Sequence, residues 1–193
     1  MKPLISRYPA SRGRRPRTDR RGSAALEFAL MTPILTTLFI GSVDAAQIYV
    51  AQLNLSSAVY AGVNYSLVNQ SQATSTNGAT LANAIATIVG NLNGSGSASG
   101  TIVVNNGPTV TFTNGTNTAS GTASNADSYY CMTGSPGSWS WGTAQSSSIS
   151  CGTNLPYAGK FVTITATVNV APIIPGLNFV SGTLSQSIAV QVQ

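Results

Sequence analysis

A nearly unbroken apolar run from Ala24 to Val43 constrains this chain more than any other feature. It contains Phe28, Leu30, Met31, Ile34, Leu35, Leu38, Phe39 and Ile40. Its length is close to the ~20 residues that a helix needs to cross a bilayer. Arg20, Arg21 and Gly22 stand directly before it, and one carboxylate, Glu27, stands inside it. Burying that carboxylate costs ~2.5–3.5 kcal/mol at a bilayer centre and less near an interface, so it calls for a reason. One reason is electrostatic: a carboxylate near a helix N-terminus is stabilised by the macrodipole. The other is a specific partner for the charge.

Charge is distributed very unevenly. Lys2, Arg7, Arg12, Arg14, Arg15, Arg17, Arg20 and Arg21 precede the apolar run, whereas beyond Gly22 only Lys160 is basic and only Glu27, Asp44 and Asp127 are acidic. The net charge of +5 is therefore a property of the leader. Arginines beside an apolar helix are what the positive-inside rule places in the cytoplasm. Tyr8 is the leader's single aromatic residue, too little for base stacking, so nucleic acid is not an expected partner. Residues 1–22 read as a disordered basic leader, because Arg, Pro, Ser and Gly without an apolar period cannot build a core.

A cleaved secretory signal is the competing reading of the run. Its length, and the absence of a break after it, argue for a longer helix that continues to about Val68. Ile48, Gln52, Leu55, Val59, Gly62 and Val63 recur three or four apart and make one apolar or small face. At ~1.5 Å per residue, some 40–45 residues would reach ~65 Å. Pro33 should bend the helix, with Thr32, Thr36 and Thr37 helping to satisfy the freed carbonyl. Asp44 is expected at the outer membrane boundary.

The remainder reads as a small α+β domain. Residues 70–80 form a polar linker, and Thr80 caps a short helix whose stripe is Leu81, Ile85, Ile88 and Leu92. Residues 94–100 form a turn. Strands follow at 101–104 and 109–113, separated by Asn-Asn-Gly-Pro. The alternation of Val162, Ile164, Ala166, Val168 and Val170 with threonines marks the clearest strand, 160–170. It should pair antiparallel with 184–192 across a long connection. Trp139 and Trp141 either share a strand face or fold back on the core, and packing is favoured over ligand stacking.

Cys131 and Cys151 both lie beyond the apolar run, and two is the right number for one disulfide in an oxidising compartment; two buried thiols are the alternative. Two cysteines without a histidine make neither a zinc site nor a Cys–His nucleophile. Beyond the membrane segment the carboxylates are Asp44 and Asp127, far apart in sequence, and no phosphate-binding glycine motif occurs. The chain is read as neither an enzyme nor a cofactor or metal binder.

The junction Arg-Gly-Ser-Ala-Ala-Leu-Glu-Phe-Ala-Leu-Met-Thr-Pro resembles the class III leader of type IV pilin-like proteins. The closer resemblance is to the TadE-like minor pseudopilins of the tight-adherence (Tad, Flp-type) pilus system. Arg21, Gly22, Ala24, Ala25, Glu27, Phe28, Ala29, Pro33, Leu35, Leu38 and Gly41 fit that pattern, with Asp44 where many relatives carry Glu. Ala58-Val59-Tyr60-Ala61-Gly62 is similar to a family helix that commonly carries arginine at the tyrosine position. The paired cysteines, alternating strand, Pro-Gly connection and last strand also follow the family order.

The resemblance implies a cytoplasmic leader 1–22, a transmembrane and extended helix 23–68 and an extracytoplasmic domain 69–193. It implies a single-pass protein of the bacterial inner membrane, N-terminus cytoplasmic and C-terminal domain periplasmic, which can be incorporated into a surface pilus. A prepilin peptidase would cut between Gly22 and Ser23. Glu27 would then pair with the terminal amine of a neighbouring subunit. The implied partners are that peptidase, other pilin and pseudopilin subunits and Tad assembly proteins, with assembly and surface attachment as the function. The rival architecture is an uncleaved bitopic protein with a periplasmic scaffold or binding domain.

Overall fold

The computed structural model describes residues 20–92, 98–152, 156–171 and 182–193. The chain divides into two compact units, Met1–Ile40 and Gly41–Gln193. The described part of the first is wholly helical and belongs to α1, Arg20–Val68. The expected long helix is therefore present, with its first turn two residues before Gly22.

In the second unit α1 buries one face. Leu55, Ala58, Val59, Gly62, Val63 and Ser66 are shielded from solvent, at the three- and four-residue spacing of one helical stripe. Gln52, assigned to this face from the sequence, is exposed, and Ala58 and Ser66 belong to it. Small residues suffice here because the helix is pressed close to its neighbours. A Cβ at Gly62 would lie 3.0 Å from Val89 Cγ2 and 3.1 Å from both Ile85 Cγ2 and Ile164 Cδ1.

A 3-10 turn, Gln70–Gln72, leads to α2, Gly78–Leu92. The helix starts two residues before the expected cap at Thr80. Leu81 N–H donates to Asn77 O, and the Thr74 hydroxyl accepts from Asn77 N–H. Leu81, Ala82, Ile85, Ala86 and Val89 form its buried stripe, while Ile88 is half-buried; the side chain of Leu92 lies outside the described residues.

A five-stranded sheet of order β3-β2-β1-β6-β7 carries the rest of the core. Its members are β1 Ala98–Val104, β2 Thr109–Thr113, β3 Thr116–Ser120, β6 Phe161–Val170 and β7 Gly182–Gln191. Two short strands, β4 Thr133–Ser135 and β5 Ser138–Ser140, pair separately. Every pairing is antiparallel. Register sorts the side chains by face. Val110, Ile102, Ile164 and Ile188 make one cross-strand row, and Phe112, Gly100, Ala166 and Gln186 the next. The opposite face holds rows such as Thr118, Thr111, Thr101, Thr165 and Ser187. The first set is the core face, since period-two alternation leaves one side of each strand apolar.

Two sequence expectations change here. β1 begins at Ala98, within the segment read as a turn, and Gly100 is what lets it pass. A Cβ there would collide with Thr165 O of β6 and lie 2.6 Å from the Phe112 ring. β3 is an additional strand. Asn114 and Gly115 have φ of 49° and 79°, the two positive values of a tight hairpin turn, so Thr113 faces Thr116. The strand's polar sequence hid it, because an edge strand need not alternate. The expected β6–β7 hairpin is present, with Val168 opposite Leu184 and Val162 opposite Val190. Its connection, 172–181, lies outside the described residues, as do 94–97 of the expected turn.

Candidate membrane and assembly helix

Residues 24–39 of α1 carry large apolar side chains that are exposed among the described residues. Leu26, Phe28, Leu30, Met31, Ile34, Leu35, Leu38 and Phe39 are each more than half exposed. An apolar surface of this kind on every side of a helix is stable in lipid or against other helices, not in water. Among the described residues this is the one helix long and apolar enough to cross a membrane. With its exposure in this chain, that points to membrane association.

The expected processing and assembly residues lie at the start of this segment. Gly22 and Ser23 are both in the first turns of α1. Gly22 is exposed, and a Cβ built on it meets nothing within 4 Å. The fold thus places no demand for glycine at this position. Glu27 is exposed on the same helix, four residues beyond Ser23, about one turn.

Pro33 lies within α1 without ending it. The carbonyl it leaves without a helical donor is that of Ala29, four residues earlier. The nearby hydroxyls are committed elsewhere: Thr32 donates to Phe28 O at 2.6 Å, Thr36 to Thr32 O at 2.7 Å and Thr37 to Ile34 O at 2.9 Å. They bind the helix's own carbonyls, as hydroxyls in apolar surroundings do, but they do not repair the proline site. Asp44, expected at the outer membrane boundary, is 3 % exposed and lies three residues into the unit that begins at Gly41.

Residues 22–64 match the TadE-like protein family. The match begins at Gly22, includes Glu27 and Pro33, and ends within the stripe of α1 that packs on α2 and the sheet. It covers less than a quarter of the 193 residues. No curated protein and no solved structure matches the chain. The matched family is one of structural, pilus-associated proteins, and the similarity is confined to that segment.

The second unit adds a covalent staple. Cys131 and Cys151 form a disulfide with Cα atoms 5.6 Å apart, closing a 20-residue separation. It encloses the β4–β5 hairpin, turned at Pro136 and Gly137, the latter with φ 87°. Trp139 lies in β5 and Trp141 just beyond it. Trp141 meets Tyr130 edge-to-face, with centroids 5.8 Å apart, so it serves packing. Among the described residues no group of three or more His, Cys, Asp or Glu is placed to hold a metal. A cavity of about 240 Å³ is lined by Gln70, Ser71, Val192 and Gln193.

Two polar knots were not foreseen from the sequence. Asn105, fully buried at the end of β1 with φ 50°, donates to Ala126 O and Ser128 O and accepts from Phe161 N–H. It fastens the 123–130 segment to the sheet. Lys160, 7 % exposed, donates to Ala73 O at 3.3 Å and lies 5.6 Å over the Tyr129 ring. Nearby, Asp127 Oδ1 accepts from Ser75 N–H at 2.8 Å. The Ser75 hydroxyl, its backbone N–H and the Lys160 ammonium hold the Asp127 carboxyl below its usual range. An Asn-Gly-Pro turn and a lone lysine gave no sign of these long-range partners.

Proposed function

We propose that this protein is a minor pseudopilin that takes part in assembling a tight-adherence (Flp-type) pilus and in surface attachment. The observation that carries the proposal is an exposed apolar helix whose start, Gly22 to Pro33, falls within the TadE-like match and bears one carboxylate. On this reading residues 1–22 are a cytoplasmic leader, 23–68 anchor and extend the protein, and 69–193 form a periplasmic domain. A prepilin peptidase removes the leader after Gly22, where the missing side chain lets the backbone approach the catalytic groups. Ser23 then carries an ammonium group. Pairing of Glu27 with the ammonium of a neighbouring subunit neutralises two charges that are costly in lipid, which favours docking over isolation. The protein's action is assembly with other pilin and pseudopilin subunits, without catalysis.

The test is the mass of the mature chain. Coexpression with a prepilin peptidase should remove 22 residues and leave Ser23 at the N-terminus, and Gly22→Val should block this. The open space around Gly22 means that the substitution leaves the fold intact, so a loss of processing reports on the peptidase. An intact N-terminus in membrane-inserted wild-type protein made with active peptidase would favour the uncleaved bitopic architecture instead.

A further inference from the structure

The last strand of the sheet has an unusual free edge. β7 pairs with β6 over all ten of its residues, and the sheet order places nothing beyond it among the described residues. Backbone bonds outside the ladder join Val192 and Gln193 to Lys160, past the end of β7. About half of the strand's N–H and C=O groups therefore point outward. Edges are normally blunted by short length, charge, proline or a covering element. β3, at the other end of the sheet, is five residues long, and its Asn117 is tied to Asn83 and Thr87 of α2. β7 is twice that length and contains neither charge nor proline. On its core face Leu184, Ile188 and Val190 are only partly buried, so the apolar row is unfinished at this edge.

We propose that β7 is a pairing strand for a second copy of this chain. The two β7 edges join antiparallel about a two-fold axis, making one sheet across both copies. Antiparallel pairing is itself two-fold symmetric, so one sequence supplies both sides of such an isologous contact. The absence of charge is what permits it, since like charges directly opposite one another repel. The pattern selects one register, centred on Gln186. Leu184 then faces Ile188 of the second copy, Gln186 faces its own counterpart, and Thr183 faces Ala189. Shifting the centre to Ser187 would set Gln186 against Ile188, polar against apolar. This proposal concerns the sheet alone and does not depend on leader processing.

The full chain in detergent micelles provides the test. Gln186→Cys should form a disulfide-linked dimer under mild oxidation, because directly opposed antiparallel residues lie within disulfide range. Thr118→Cys, on the β3 edge, should not. Gln186→Lys should weaken the dimer about tenfold or more by light scattering. An equimolar mixture of Gln186→Lys and Gln186→Glu should restore it, which rules out misfolding as the cause. Amide exchange in wild type should show protection at consecutive β7 residues above the dimer concentration and at alternate residues below it. A monomer with alternate protection at every concentration overturns the proposal. So does a Gln186→Cys cross-link to another pilus subunit with none to itself, or failure of the mixture to recover.

Discussion

At the residue scale, single ionisable groups are informative because the chain has so few. Glu27 sits exposed on an apolar helix, where its charge opposes lipid insertion. On the proposed pairing, Glu27→Ala should leave insertion and leader cleavage intact but lower recovery of partner subunits, and Glu27→Asp should substitute poorly, its carboxylate falling one methylene short of the proposed amine partner. The measure is recovery of partner subunits from solubilised membranes at matched expression and processing. Equal recovery from wild type and Glu27→Ala would return the residue to the role of a helix-end charge. Asp127 acts within the second unit. Its carboxyl is held below the usual value of 3.8 by the Ser75 hydroxyl and N–H, with a lesser contribution from Lys160, against the opposing effect of desolvation. A lowered folded-state value means that the contribution is complete above the unfolded-state value and is lost as pH falls through the folded one. Thermal stability of wild type should therefore decline more steeply below about pH 3.8 than that of Asp127→Asn. Parallel acid limbs for the two proteins would show that the Ser75 contact contributes nothing.

At the element scale, the packing of α1 on α2 and β6 rests on one small residue. Gly62 already brings three side chains within 3.1 Å of where a Cβ would stand. Those neighbours are branched and belong to a filled core, so they yield only by moving whole elements. Gly62→Leu should destabilise the second unit by about 1–3 kcal/mol, the usual cost of overpacking. Urea denaturation followed by tryptophan fluorescence will measure it, and an unchanged midpoint would mean that α1 is not held by this contact. The helix stripe itself was legible in the sequence at Leu55, Val59, Gly62 and Val63, because 3.6-residue periodicity is local. Its partner, Ile164 of β6, was not, since it lies about a hundred residues away.

At the scale of the whole molecule, the disulfide is the one covalent tie across the segment between β3 and β6. That segment has little apolar core of its own; from 131 to 151 nearly every residue is exposed or half-exposed. Closing a 20-residue separation is worth about 3 kcal/mol in the chain-entropy model. Reduction should lower the unfolding free energy by about that amount, read as a shift in denaturation midpoint with and without reductant. No shift would mean that Asn105 and the Tyr130–Gly159 bridge hold the segment by themselves.

What the sequence determined alone was whatever depends on near neighbours. An apolar run of sufficient length becomes a helix whatever surrounds it, and its charge asymmetry and Gly22–Glu27 spacing are readable directly. The strict alternation in β6, and the looser one in β7, likewise need no partner to be recognised, and neither does the count of two cysteines. The tertiary structure decided the rest. β3 alternates too weakly to declare itself, and the Asn114–Gly115 turn was its one local sign. The order that sets β6 between β1 and β7 brings together strands separated by more than fifty residues. Asp44 and Lys160 look like surface charges in any local window, yet both are buried, and Asn105 looks like a turn residue yet anchors a segment. Burial of a polar group is tolerated where distant carbonyls, amides and rings meet it, and only the folded chain puts those partners in place.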